Sequence, residues 1–202
     1  MTRRTIVFAG DSITDAGRRE DPDGLGDGYV RIIAERLEES GYRVVNAGIS
    51  GDRAVDLRAR WSEDVQAHEP DVLSVLVGVN DTWRRYDSAD ATSAEEFRAV
   101  YDELLTSMAG TGASIVLMEP FLLPVTDAMH AWRTDDLDDK IAVVRALAEK
   151  HGATLIGLDG LLTDAAGERG PEAVASDGVH PTPYGHALIA DAWIAAAEPH
   201  LA

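Results

Sequence analysis

The chain has 202 residues, 45% of them hydrophobic and 27% charged, which is enough for one soluble domain with a full core over residues 1–202. Its formal net charge of −18 speaks against nucleic acid or an anionic membrane as a partner, since both call for a basic footprint. There is no cysteine, so disulfides, thiolate zinc sites and a cysteine nucleophile are excluded.

The first apolar run follows two arginines, in "MTRRTIVFAGDS". It is shorter than the roughly 7–15 residues of a signal-peptide core, and no run approaches the roughly 18–20 apolar residues of a membrane span. The chain is therefore expected to be cytoplasmic, without membrane insertion.

Short β-branched runs then recur: "TIVFA" at 5–9, "RVVNA" at 43–47, "DVLSVLVG" at 71–78, "SIVLME" at 114–119 and "TLIGL" at 154–158. Continuous apolar runs of this length suit strands buried on both faces. Helical spacing lies between them. Leu57, Trp61 and Val65 fall on one face, and Ser93 with Glu96 has capping-box spacing ahead of Phe97, Val100, Leu104 and Met108. Thr134, Asp135 and Asp136 predict the start of a helix carrying Leu137, Ile141, Val144 and Leu147, closed by Gly152. Thr182-Pro183 opens a last helix through Leu188, Ile189 and Trp193, with proline in its preferred first turn. Five strands alternating with about five helices predict a single three-layer α/β/α domain around a five-stranded parallel sheet.

Sites in open parallel sheets lie beyond the carboxyl ends of the strands. There the chain places "GDSITDAG", "AGISGDR", "GVNDTW", "EPFLLP" and, further on, "SDGVHPT". A serine hydroxyl becomes a nucleophile only with a base in hydrogen-bond reach. For Ser12 that base is His180, and Asp177, one tight turn earlier, is placed to fix its tautomer and stabilise its cation. Activity should then fall in acid, where the imidazole protonates. The Ser12 and Gly51 backbone N–H groups and the Asn80 amide are candidate oxyanion donors.

The blocks "GDSIT" (10–14), "GISGD" (48–52), "GVND" (78–81) and "DGVH" (177–180) resemble the signature blocks of the SGNH hydrolases, or GDSL esterase/lipase family. They stand in the family's order and span almost the whole chain. The resemblance implies a flavodoxin-like fold with Ser12 as nucleophile, His180 as base, Asp177 as its orienting acid, and Ser12, Gly51 and Asn80 as the oxyanion hole. Ile13 departs from the leucine of the family name, at a commonly aliphatic position. The blocks look most like small bacterial esterases, carbohydrate deacetylases included, which implies short acyl esters and above all sugar acetates as substrate, with no cofactor and no metal.

Trp83, beside Asn80, is a candidate for stacking on a sugar ring, while Arg53 either pairs with an acid or reaches a substrate oxygen. Asp11 reads as a structural acceptor for loop N–H groups and His186 as a surface or packing residue. Competing readings are a lysophospholipase or thioesterase, a metal-dependent phosphohydrolase using Asp11, Asp15, Asp177 and His180, and a non-catalytic carbohydrate-binding relative.

Overall fold

A computed structural model describes residues 4–201. In chain order its elements are β1 (Thr5–Gly10), α1 (Ser12–Asp15), α2 (Tyr29–Arg36), β2 (Arg43–Gly48), α3 (Ala54–Asp64), β3 (Val72–Leu76), α4 (Val79–Asp87) and α5 (Ala94–Ser107). Then follow β4 (Ser114–Met118), α6 (Asp127–Trp132), α7 (Asp138–His151), β5 (Thr154–Ile156), α8 (Leu158–Arg169), α9 (Pro171–Val174) and α10 (Pro183–Ala197). The five strands are parallel in the order β2-β1-β3-β4-β5. This flavodoxin-like order reverses direction between β1 and β3, where a crevice opens at the carboxyl ends.

Alternation along β1 divides the core into two layers. Ile6 and Phe8 pack with Ile33 of α2, Leu162 of α8 and Trp193 of α10. Val7 and Ala9 face Leu57 and Trp61 of α3, Phe97 and Leu104 of α5, and Leu147 of α7. Every residue of β1 is buried, as the apolar run requires. The one polar residue in the middle of β3, Ser74, accepts the Trp193 indole N–H at 2.9 Å, so its hydroxyl is satisfied inside the sheet.

Caps predicted from the sequence are in place. Ser93 and Glu96 form the reciprocal capping box of α5, Thr182 accepts from Gly185 N–H at the start of α10, and Gly152 closes α7 at φ 63°. Two boundaries differ from expectation. The helix expected to begin at Thr134 begins at Asp127 and runs into α7 through a widened π turn over Arg133–Leu137. Asp135 and Asp136 imitate an N-terminus, but Asp136 is buried against Lys140 and Arg85 within that turn. The last strand stops at Ile156, because Leu158 already opens α8. Among the described residues, no helix is long and apolar enough to cross a membrane.

Candidate active site

The site is assembled at the carboxyl ends of β1, β2 and β3, with the turn before α10 folded over them. Ser12 follows β1 as the first residue of α1, whose N-cap is Asp11: its carboxylate accepts Ile13 N–H at 3.0 Å. Deeper support comes from the buried Asn46, whose amide donates to the carbonyls of Thr14 (2.7 Å) and Leu25 (2.8 Å). Asp15 reaches across to the next strand end, accepting the Ser50 N–H at 2.9 Å and hydroxyl at 3.0 Å. Adjacent strand ends are thus tied together by buried polar side chains, which low local dielectric makes stiff when fully paired.

His180 stands over the serine, with Nε2 2.9 Å from Ser12 Oγ. Its Nδ1 lies 2.6 Å from Asp177 Oδ2. A carboxylate only accepts, so Nδ1 carries the hydrogen and Nε2 is left to accept from the serine hydroxyl. The other Asp177 oxygen accepts Val179 N–H at 2.9 Å and His180 N–H at 2.7 Å. Burial alone would raise the Asp177 carboxyl, but its bonds to the His180 side chain and to these two backbone N–H groups outweigh it and hold the group below the ordinary carboxylate range. Gly178 makes the turn possible. It sits at φ +85°, and a Cβ there would come within 2.4 Å of the Leu123 carbonyl oxygen. Its own carbonyl accepts Leu123 N–H at 2.8 Å, so the histidine turn is fastened to the segment following β4.

Gly51 lines the same cleft as the serine and lies at φ +90°. Among the described residues neither the Ser12 nor the Gly51 amide N–H has a partner. Asn80, 3% exposed, donates one amide hydrogen to the Asp52 carbonyl at 3.0 Å, which fixes the amide plane and leaves its second hydrogen unused. A cleft of about 240 Å³ is lined by Ser12, Ser50, Gly51, Asn80, Trp83, Arg84, Asp87 and His180. Trp83 forms one wall, its ring centroid 6.0 Å from that of His180 and 5.9 Å from that of Trp132.

Arg53 is not in that cleft. Its guanidinium pairs with Asp56 at 3.2 Å and Asp90 at 2.8 Å, the first of its two expected alternatives, because it caps α3 and faces away from Ser12. The cation that does line the cleft is Arg84, paired with Asp87. Sequence reasoning missed Ser50, Arg84 and Asp87. The spacing of Asn80, Trp83, Arg84 and Asp87 is that of one helical face, and it was visible once a helix is assigned to 79–87. Asp11, Asp15, Asp177 and His180 have separate partners, and among the described residues no three His, Asp or Glu side chains are grouped to hold a metal ion.

Two further carboxyl groups adjoin cleft residues in sequence, Asp11 before Ser12 and Asp81 after Asn80. Asp11 is 1% and Asp81 0% exposed, and burial pushes each up to about 7. His186, on α10, accepts Tyr29 N–H through Nδ1 at 3.2 Å; burial pushes it down to about 4, so it stays neutral. It is a packing residue, the second of the two expected alternatives.

Parallel strands in this order, with a serine, a histidine and an aspartate in one hydrogen-bonded row at their carboxyl ends, define a hydrolase of the flavodoxin-like α/β class. Residues 8–188 match the GDSL-like lipase/acylhydrolase family. The chain belongs to that family and is a carboxylic ester hydrolase. It is 36% identical over 203 residues to an acetylxylan esterase of Geobacillus stearothermophilus, covering 94% of this chain and 91% of that one. The solved structure of a GDSL-like lipase from Parabacteroides merdae superposes with a TM-score of 0.91 at 31% identity, covering 98% and 96% of the two chains. A catalytic variant of the Geobacillus acetylxylan esterase gives 0.87 at 33% identity, covering 96% and 93%.

Proposed function

We propose that this esterase removes short acyl groups, acetyl above all, from a carbohydrate through a serine-linked acyl-enzyme. The carrying observation is the unbroken row from Asp177 through His180 to Ser12, with bonds of 2.6 and 2.9 Å. Ser12 Oγ attacks the ester carbonyl as its proton passes to His180 Nε2. A new C–O bond forms and the carbonyl electrons move onto oxygen. That oxyanion meets the Ser12 and Gly51 N–H groups and the free Asn80 amide hydrogen, donors already in place before the charge develops. The carbonyl re-forms, the C–O bond to the alcohol breaks, and His180 returns its proton to the leaving oxygen. Water then repeats the sequence on the acyl-enzyme. Asp177 keeps the imidazole in the tautomer that accepts from serine.

Two features support an acetyl ester of a sugar. The cleft is small, at about 240 Å³, and beside the serine its walls are Ser50, Arg84 and Asp87, which offer no apolar run for a long acyl chain. Trp83 stands on the His180 side, where the alcohol departs, and an indole face is suited to a sugar ring. The similarity to an acetylxylan esterase agrees with this reading.

The test is hydrolysis of p-nitrophenyl acetate and of acetylated xylo-oligosaccharides by wild type and Ser12→Ala, both in EDTA, with a p-nitrophenyl chain-length series. Activity in EDTA, lost in the variant and greatest on acetate, is the expected result. Full activity in Ser12→Ala, loss in EDTA, or an optimum at eight carbons would overturn it.

A further inference from the structure

Buried carboxyl oxygens without partners stand next in sequence to two residues that line the cleft, Ser12 and Asn80. Asp11 Oδ2, Asp81 Oδ1 and the Thr82 hydroxyl are buried side-chain atoms lacking a hydrogen-bond partner. Asp11 directly precedes Ser12 and Asp81 directly follows Asn80, at the ends of strands β1 and β3, which pair in the sheet. Their other oxygens are engaged in holding the site together. Asp11 Oδ1 caps α1 through Ile13 N–H, and Asp81 Oδ2 accepts Ala54 N–H at 3.0 Å, pinning α3 just after the Gly51 turn.

An ionised carboxylate with an unpartnered buried oxygen costs several kcal/mol, and a neutral acid far less. The cations around the pair relieve that cost only in part. Lys140 and Arg53 act on Asp81 only at a distance, since Lys140 is bonded to Asp136 and Arg53 to Asp56 and Asp90. For Asp11 the strongest charged influences are the acids Asp81 and Asp52; the cation next to it, Arg60, spends its N–H groups on the Gly10 and Ala47 carbonyls, Asp52 and Asp64. Asp52 itself is held by Arg60 at 2.6 Å. From α2, the Tyr29 hydroxyl is bonded to Thr14 at 2.9 Å and is held protonated by burial.

We propose that Asp11 and Asp81 form a proton-holding pair of positioning residues, at least one of them a neutral carboxylic acid in the active enzyme, which keeps negative charge from accumulating beside the oxyanion hole. The catalytic consequence rests on the Ser12 reading above; the protonation does not. Two carboxylates next to Ser12 and Asn80 would oppose the charge that appears on the substrate oxygen, in surroundings where such charges interact strongly. A single acid proton removes that opposition while both carboxyl groups go on accepting their backbone N–H bonds.

Asparagine is the matching probe, because it imitates a neutral acid in shape and remains a good N-cap. Asp11→Asn and Asp81→Asn should each keep kcat/KM on p-nitrophenyl acetate within about threefold of wild type at pH 6.5. A loss of about 10² or more in both folded variants would overturn the proposal. Melting temperatures against pH give a second readout. The folded value of Asp11 is raised to about 7, so its stability contribution is full below the unfolded value and is lost as pH rises through 7. Wild type should therefore lose ground to Asp11→Asn or Asp81→Asn between about pH 4 and 7, and curves parallel to wild type for both variants would overturn the proposal. The direct readout is the infrared C=O stretch of a protonated carboxyl in aspartate-labelled protein at pH 6. It should be present in wild type and in Ser12→Ala, and lost in Asp11→Asn/Asp81→Asn. Its absence from wild type overturns the proposal even if every variant misfolds, while its presence in an inactive Ser12→Ala separates this result from the esterase test.

Discussion

Two aspartates stand near the same serine and receive opposite treatment. Asp177 lies in a half-exposed turn whose backbone N–H groups and imidazole converge on it, and it is held below the ordinary carboxylate range. Asp11, one residue from Ser12, is buried with one oxygen unpartnered and is pushed up to about 7. The difference is one of partners rather than distance from the chemistry. A base must be steadied by a charge, so an acid is kept ionised at the imidazole. On the proposed mechanism the oxyanion hole is spared a charge when at least one of the buried acids Asp11 and Asp81 holds a proton.

The largest effect expected of any variant is at the serine. Ser12→Ala should lower kcat on p-nitrophenyl acetate by about 10⁵–10⁶, because no other group supplies the acyl-enzyme. Next comes the contrast itself. Asp177→Asn should lower kcat by about 10³–10⁴, since an amide donating to Nδ1 would leave the wrong tautomer facing Ser12, whereas the same change at Asp11 is nearly silent. Equal losses at the two positions would break the comparison. Removing one donor in Asn80→Ala should lower kcat by about 10²–10³ with little change in KM, as the amide acts only on the developing oxyanion. Trp83→Ala sharpens the alcohol side. On an acetylated xylo-oligosaccharide it should lose about five- to tenfold more kcat/KM than on p-nitrophenyl acetate, and equal losses would remove Trp83 from sugar binding.

The smallest effect concerns His186, whose folded value of about 4 lies below its unfolded one. The unfolded chain therefore binds the extra proton first, so stability present above pH 6.5 is lost as pH falls towards 4. Thermal melts should show His186→Gln losing less stability than wild type across that window.

Much of this site was legible because its residues sit in local patterns. Ser12, Gly51 and Asn80 each follow an apolar run whose burial makes it a strand, and a strand's carboxyl end is where a parallel sheet exposes polar groups. Asp177 and His180 are three residues apart, so a single turn sets their bond. The capping box of α5 and the closing glycine of α7 were readable for the same reason. Arg84 and Asp87 were missed because no helix was assigned to 79–87, although Val79, Trp83 and Tyr86 stand there at helical spacing; with the helix in place, Asn80, Trp83, Arg84 and Asp87 share the face that lines the cleft. Arg53 was ambiguous because its partner Asp90 is 37 residues away in sequence.

What the sequence determined by itself is the alternation of strands and helices, the parallel sheet and the set of reactive residues, all of which follow from short-range periodicity and spacing. Tertiary structure alone decided which side chains meet. The 168-residue separation closed between Ser12 and His180, the burial of Asp11, and the choice of Arg84 over Arg53 as the cation in the cleft depend on contacts between distant segments. Such contacts exist only when the whole core forms, because desolvation and charge pairing are properties of the assembled interior.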